Sequence, residues 1–207
     1  MNVYLDDERL TVEPPTLARA IAVARDTADA RGRVVIEVKG DGAPVAADLL
    51  DQPPDNDAGF GELRLVSTPP GLFVRETLLE ARSVLDDGVA AQEQAAERIQ
   101  SGSLEDALQP LQQALQCWSL VRDVVERSQA LIGESPATIE FEGPGGPTTG
   151  GDCISKLTDA LRDVRTALEQ SDWSALSDAL AYDLGDLAIA WRAMLEALSD
   201  RAAPNRA

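Results

Sequence analysis

Hydrophobic residues recur every three or four positions from residue 72 onward, which is the period of an amphipathic helix. Four such stripes predict helices at about 72–100, 104–132, 152–170 and 173–200. The second and fourth stripes contain similar pentads, Leu-Glu-Asp-Ala-Leu at 104–108 and Leu-Ser-Asp-Ala-Leu at 176–180, and a tryptophan follows each at Trp118 and Trp191. Short polar turns within each pair of stripes indicate two helical hairpins. We therefore expect a mainly antiparallel four-helix bundle.

The first 68 residues follow a different pattern, in which short β-rich runs surround one helical stripe. The helix has an apolar face made of Leu17, Ala20, Ile21 and Ala24. The predicted elements are strands at 3–5 and 10–12, a helix from about 16 to 32, a strand at 34–38, a short helix at 45–50 and a strand at 62–67. Pro69-Pro70-Gly71 then marks the change of class. The chain is therefore predicted to be α+β, with domains at 1–68 and 69–207.

The order of elements in the first domain, β-β-α-β-(short helix)-β, resembles that of β-grasp, ubiquitin-like domains. The resemblance covers about a third of the chain and concerns element order alone. It implies a small α+β domain with one helix packed on a sheet. A ferredoxin-like or other small α+β layer is the alternative.

Residues 134–151 are rich in glycine and proline, which disfavour a helix. We expect this segment to be a crossover loop between the two helical hairpins, and to be mobile rather than functional. Ile139 and Phe141 are its apolar residues, and they could lie on the bundle or pair as a short strand.

The charge of the chain narrows the classes of partner. Its 36 acidic and 18 basic residues give a formal net charge of −18, which repels nucleic acid and anionic lipid. The start of the chain resembles no signal peptide, and no stretch approaches the roughly 18 apolar residues of a membrane span. We therefore expect a cytoplasmic protein that binds neither nucleic acid nor membrane.

The residue types that most often carry catalysis are scarce. Histidine is absent, which removes the usual general base and the commonest transition-metal ligand. Cys117 and Cys153 lack the spacing of a zinc site, and we interpret them as buried free thiols. The aspartates at 48, 51, 55 and 57 lack EF-hand spacing. We predict no catalytic residue, no cofactor and no metal.

Two sets of residues are candidates for a binding site. The helical spacing places Gln92, Arg165 and Asp183 at or beside core positions, so they are candidates for a partly buried polar layer. Such a layer could bind a small ligand or a proton between helices. The alternative is a structural hydrogen-bonded group that fixes the helix register.

The second set lies on the fourth predicted helix, whose outward face carries few charges. Its members are Ala181, Gly185, Ala188 and Ile189. Glycine in a helix interior costs about 1 kcal/mol relative to alanine, which suggests a close approach at Gly185. The covering surface could be the first domain, a second copy of the chain or another protein.

These observations predict a non-catalytic interaction protein, either an adaptor or a chaperone-like acidic bundle, whose partner is another protein or a second copy of itself. An acidic bundle with an apolar groove is similar in broad design to bacterial secretion and flagellar export chaperones. The alternative is a small-ligand or ion sensor with a site between helices or between the two domains. An enzyme that uses paired carboxylates is a third, weaker hypothesis.

Overall fold

The computed structural model describes residues 1–54 and 59–202 and confirms a mixed α+β chain. The chain forms two compact units, Met1–Phe73 and Val74–Ala207. Each unit has its own cluster of buried hydrophobic residues. Among the described residues, no helix combines the length and apolarity that crossing a membrane requires.

The first unit is a five-stranded sheet with one long helix. Its elements are β1 (Asn2–Leu5), β2 (Glu8–Leu10), α1 (Leu17–Ala30), β3 (Val34–Gly40), β4 (Ala43–Pro44), α2 (Ala47–Asp51) and β5 (Glu62–Thr68). The strand order is β2-β1-β5-β3-β4. The pair β1–β5 is parallel, and the other neighbours are antiparallel. Asp6 and Asp7 both adopt positive φ between β1 and β2, as a tight hairpin turn requires.

The core of this unit lies between α1 and the sheet. Alternate residues of the central strands are buried, including Leu5 of β1 and Leu65 of β5, because successive side chains of a strand point to opposite faces. The predicted apolar face of α1 is buried in the same cluster. Thr16 caps the start of this helix, since its side chain accepts a hydrogen bond from Arg19 N.

The second unit is mainly helical. Its elements are α3 (Pro70–Gln100, whose first turn belongs to the first unit), α4 (Leu104–Ile132), a 3-10 turn (Pro136–Thr138), β6 (Glu140–Gly143), β7 (Gly146–Thr149), α5 (Gly150–Gln170), α6 (Trp173–Asp178), a π-helical turn (Ala179–Asp183) and α7 (Leu184–Ala202). The apolar stripes of its long helices converge on one buried cluster.

The segment at 134–151 differs from the expected irregular loop. It contains the 3-10 turn and an antiparallel hairpin of β6 and β7, and α5 already begins at Gly150. Ile139 is fully buried and Phe141 packs against the helical core, so the hairpin is anchored by apolar contacts. A side chain at Gly150 would overlap the carbonyl oxygen of Pro136, and glycine therefore permits the helix to start there.

The fourth predicted helix is interrupted by the π-helical turn between α6 and α7. Asp172 caps the start of α6, because its side chain accepts a hydrogen bond from Ala175 N at 3.0 Å. A π-helical turn holds more residues than an α-helical turn, so it changes which side chains face the core. A regular 3.6-residue period therefore places Leu180 correctly in the core but misplaces Ala181 and Asp183, which lie in this turn.

Candidate interaction surface on the helical unit

The predicted polar layer does not form. Gln92 is fully buried, and its Oε1 accepts a hydrogen bond from Trp118 Nε1 at 3.0 Å. Arg165 is exposed and pairs with Glu169 at 2.7 Å, while Asp183 is exposed at the end of the π-helical turn. The interpretation of Gln92, Arg165 and Asp183 as one buried group is therefore wrong.

The physical causes of this error differ. The wider π-helical turn rotates Asp183 away from the apolar stripe that a regular helix would place beside it. Arg165 stands at the edge of the stripe of α5, where a long cationic side chain turns to solvent and meets the carboxylate four residues later.

The second predicted set is only partly exposed. Ala188 is fully buried in the helical core, so its assignment to the outward face is wrong. The buried stripe of α7 includes Leu184, Leu187, Ala188 and Trp191, and it is wider than a single row of leucines because a core-facing helix buries about a third of its circumference. Ala181 is half-buried and packs against the core.

Gly185 and Ile189 do reach the surface, and they do so beside a residue that the sequence analysis overlooked. Tyr182 is 67% exposed and Ile189 is 50% exposed. Tyr182 belongs to the π-helical turn, and Gly185 and Ile189 follow it in α7. We name these three residues the Tyr182 stripe. The signal in the sequence was an aromatic residue within a stretch that has no lysine or arginine.

Gly185 has no side chain, and the space that one would occupy is open; we name this space the notch. Apart from the two chain neighbours and the backbone of the same helix, no described heavy atom lies within 4 Å of the place that a Cβ would take there. The close approach that explains a helical glycine occurs instead at Gly88 of α3, where a Cβ would lie 2.8 Å from the Cβ of Cys117 on α4. The contacts of the described chain therefore give no reason for glycine at 185.

Carboxylates border the Tyr182 stripe. Asp178, Asp183 and Asp186 are all exposed, and the sequence has no lysine or arginine between Trp173 and Trp191. Arg192, the next cation along α7, is paired with Asp86 of α3 at 2.6 Å. The surface around the stripe is consequently apolar at its centre and negative at its edge.

A groove of about 490 Å³ adjoins this face, and we name it the hairpin groove. The turn between β6 and β7 forms one wall, and residues of α5 and α7 form the others. Its lining residues are Gly143, Pro144, Gly145, Gly146, Pro147, Thr148, Cys153, Lys156, Asp186, Leu187, Ile189 and Ala190. Ile189 belongs to both the groove and the Tyr182 stripe, so the two surfaces are continuous.

Neither cysteine is suited to nucleophilic chemistry. Both are buried and free. Burial raises the pKa of the Cys153 thiol, and Lys156 offsets this only in part. Burial and the charge of Asp87 raise the pKa of Cys117. Both thiols are therefore protonated at neutral pH, whereas a reactive cysteine needs a lowered pKa.

Within the described ranges 1–54 and 59–202, no three cysteine or carboxylate side chains are grouped so as to hold a metal ion. Asp55 and Asp57 of the acidic segment lie outside the described residues. The chain matches no protein-family model, no curated protein and no solved structure.

Proposed function

We propose that this protein is a non-catalytic interaction protein that binds another protein through the Tyr182 stripe. The observation that carries the proposal is the open space at Gly185, which in sequence lies between two largely exposed side chains, the amphipathic Tyr182 and the apolar Ile189. An apolar side chain of a partner would fill this notch, as anchor residues do at the centre of protein interfaces.

Glycine at position 185 lowers the stability of the unbound protein. Glycine in a helix interior is about 1 kcal/mol less favourable than alanine, and an alanine at 185 would meet no described atom. The adjoining π-helical turn supports the same proposal, because such turns are frequent at functional sites. A binding role accounts for both features, which are neighbours in the chain.

The charges around the stripe favour a particular partner. Asp178, Asp183 and Asp186 border it, so a segment with an apolar residue flanked by arginine or lysine is complementary. Ion pairs at the rim of an interface mainly increase the association rate, and salt screens them. The binding should therefore weaken as ionic strength rises.

We also propose finer descriptions of the two units and of their location. The strand order β2-β1-β5-β3-β4, with β1 parallel to β5, supports a β-grasp fold for the first unit. The shared core of α3, α4, α5 and α7 supports a four-helix bundle for the second. The two free thiols support a reducing, cytoplasmic location.

A second candidate function is the binding of a small ligand in the hairpin groove. The groove volume of about 490 Å³ lies in the size range of ligand sites. Lys156 is exposed at the groove and forms no ion pair with a described carboxylate, so it could bind an anionic group of a ligand.

Site-specific photocrosslinking in native-host cells tests the leading proposal. A benzophenone amino acid would replace Tyr182 or Ile189, and the control would carry it at Gln94, an exposed residue of α3. We expect one protein to be crosslinked from 182 and 189, to be absent from the control, and to be lost when Gly185→Arg is added. Purified partner should bind the wild type and lose affinity at least tenfold with Gly185→Arg.

Two crosslinking results would contradict the proposal. Equal crosslinking from all three positions, or none from 182 and 189, would overturn the proposed surface. A thermal shift with an anionic metabolite pool that Lys156→Ala abolishes would then favour the hairpin groove as a ligand site.

A further inference from the structure

The first half of α4 contains the longest run without a charged residue in the chain. Residues 107–121 include fifteen positions and no Asp, Glu, Lys or Arg, although 26% of the chain is charged. In a helix this run is about 22 Å long. One side of it faces the core and needs no charge, since Ala107, Leu111 and Trp118 are buried there.

The other side of the same run is exposed and still uncharged. Leu108 is 61% exposed and Leu120 is 57% exposed. The remaining outward residues are mainly amides, and all of them are exposed: Gln109, Gln112, Gln113, Gln116 and Ser119. A solvated face of an acidic protein normally carries charges, so burial of the inner side does not explain this composition.

Part of this surface forms a shallow groove, which we name the amide face. It has a volume of about 620 Å³ and is lined by Leu108, Leu111, Gln112, Leu115, Gln116, Ser119 and, from α5, Leu168. Every lining residue is uncharged. This distinguishes the amide face from the Tyr182 stripe, which carboxylates border.

We propose that the amide face is the contact through which two copies of this chain associate. The absence of charge on this face favours a partner of like charge, because a basic partner would be complementary to carboxylates there, whereas a second acidic copy is not. Two copies of net charge −18 repel each other, so their contact must avoid charged residues. In a two-fold symmetric contact each residue meets itself or its symmetry mate, and a carboxylate there would meet another carboxylate.

Glutamine suits such a contact because its side chain carries both a donor and an acceptor. Gln112 and Gln116 of one copy can therefore hydrogen-bond the same residues of the other, while Leu108 and Leu115 supply apolar area. Helices that cross at about 50° separate towards their ends. That geometry keeps Glu105 and Asp123, which border the run, away from their counterparts.

The association should be weak, because a contact centred on one helix pair buries less area than a stable dimer interface. It should also strengthen with salt. The residues that line the amide face carry no charge to be screened, whereas the repulsion between the two acidic copies is screened. This salt dependence is opposite to that expected of the Tyr182 stripe, so the two proposals can fail separately.

Sedimentation equilibrium of the full chain tests the inference between about 10 µM and 1 mM, in 50 mM and 500 mM NaCl. We expect a concentration-dependent dimer whose dissociation constant falls in the higher salt. Gln112→Glu with Gln116→Glu should raise that constant at least tenfold in 50 mM NaCl. The control, Gln94→Glu with Gln129→Glu, adds the same charge at exposed positions outside the amide face and should raise it much less.

A charge-swap mixture identifies the residues in contact. The Gln112→Lys and Gln116→Lys variant, mixed with the corresponding double Glu variant, should form a heterodimer that neither forms alone in 50 mM NaCl. Circular dichroism melting would verify that each variant is folded. A monomer at every concentration in 500 mM NaCl, an equal effect of the control pair, or no heterodimer in the mixture would overturn the inference.

Discussion

Trp118 and Trp191 meet edge to face, with their ring centroids 5.8 Å apart and their ring planes at 87°. Trp118 Nε1 also donates a hydrogen bond to Gln92 Oε1 on α3. Trp191 Nε1 donates to the Cys153 carbonyl oxygen on α5 at 3.4 Å. This indole pair therefore links α3, α4, α5 and α7 at one buried point, and it combines apolar packing with satisfied polar groups.

We predict that Gln92→Leu lowers the free energy of unfolding of the helical unit by about 1 to 2 kcal/mol. The substitution leaves the buried Trp118 Nε1 without an acceptor, although it also removes the Gln92 Nε2 group, which has no hydrogen-bond partner among the described residues. A double-mutant cycle with Trp118→Phe, measured by urea denaturation, isolates the pair. Additive effects within about 0.3 kcal/mol would show that the hydrogen bond contributes nothing.

Substitution of two helical glycines by alanine should change the free energy of unfolding in opposite directions. Gly88→Ala should destabilise the helical unit by about 1 to 3 kcal/mol, because the new Cβ would lie 2.8 Å from the Cβ of Cys117. Gly185→Ala should stabilise it by up to about 1 kcal/mol, because the new methyl group meets no described atom. Urea denaturation followed by tryptophan fluorescence measures both changes.

The Gly185→Ala variant also separates folding from binding. If the notch receives a partner side chain, this variant should be more stable and yet crosslink less from position 182. A more stable variant with unchanged crosslinking would mean that Gly185 has no role in binding.

Ile139→Ala should destabilise the helical unit by about 2 to 4 kcal/mol, because the side chain is fully buried in its core. The hairpin of β6 and β7 follows Ile139 directly, so its amide protons should exchange faster in the variant. Hydrogen-exchange mass spectrometry measures this effect. The matched control is Leu131→Ala, at a half-exposed position, and an equally small effect of both substitutions would contradict the anchoring role of Ile139.

Asp6 should make the first unit sensitive to acid. Burial acts to raise the pKa of Asp6, but hydrogen bonds from Ser67 Oγ at 2.6 Å and Ser67 N at 2.7 Å, together with Arg33 and Arg31, hold it below its ordinary value. A carboxyl group whose pKa is lower in the folded state than in the unfolded state stabilises the fold. This contribution is complete at pH values above the pKa of the unfolded state, which is about 3.9. That contribution is lost as the pH falls through the folded pKa.

Asp6→Asn should therefore destabilise the first unit by up to about 1 kcal/mol at neutral pH, because solvent screens this exposed carboxylate, and by progressively less below about pH 4. Asparagine tolerates the positive φ at this position, so the variant removes the charge and one of the two acceptor oxygens without straining the turn. The tryptophans all lie in the other unit, and amide exchange of β1 and β5 is the appropriate measurement. Asp7→Asn is the control, and an equal effect of both variants at every pH would refute the assignment.

The sequence alone determined the mixed α+β class and the positions of the long helices. These follow from periodicity, turn residues and helix caps, which are properties of neighbouring residues in the chain. The apolar face of α1 and the core positions of α7 at Leu184, Leu187 and Trp191 could be read in this way. The scarcity of catalytic residue types was equally visible, because it is a matter of composition.

Only the tertiary structure decided which side chains are exposed. Burial depends on the element that packs opposite a residue, and that element is distant in sequence. The hairpin at 140–149 is held against the helical unit because Ile139, directly before it, is buried in the core. The π-helical turn exposes Asp183 to solvent. For the same reason the close helix contact occurs at Gly88 and not at Gly185, since the position of the neighbouring helix determines where a side chain would not fit.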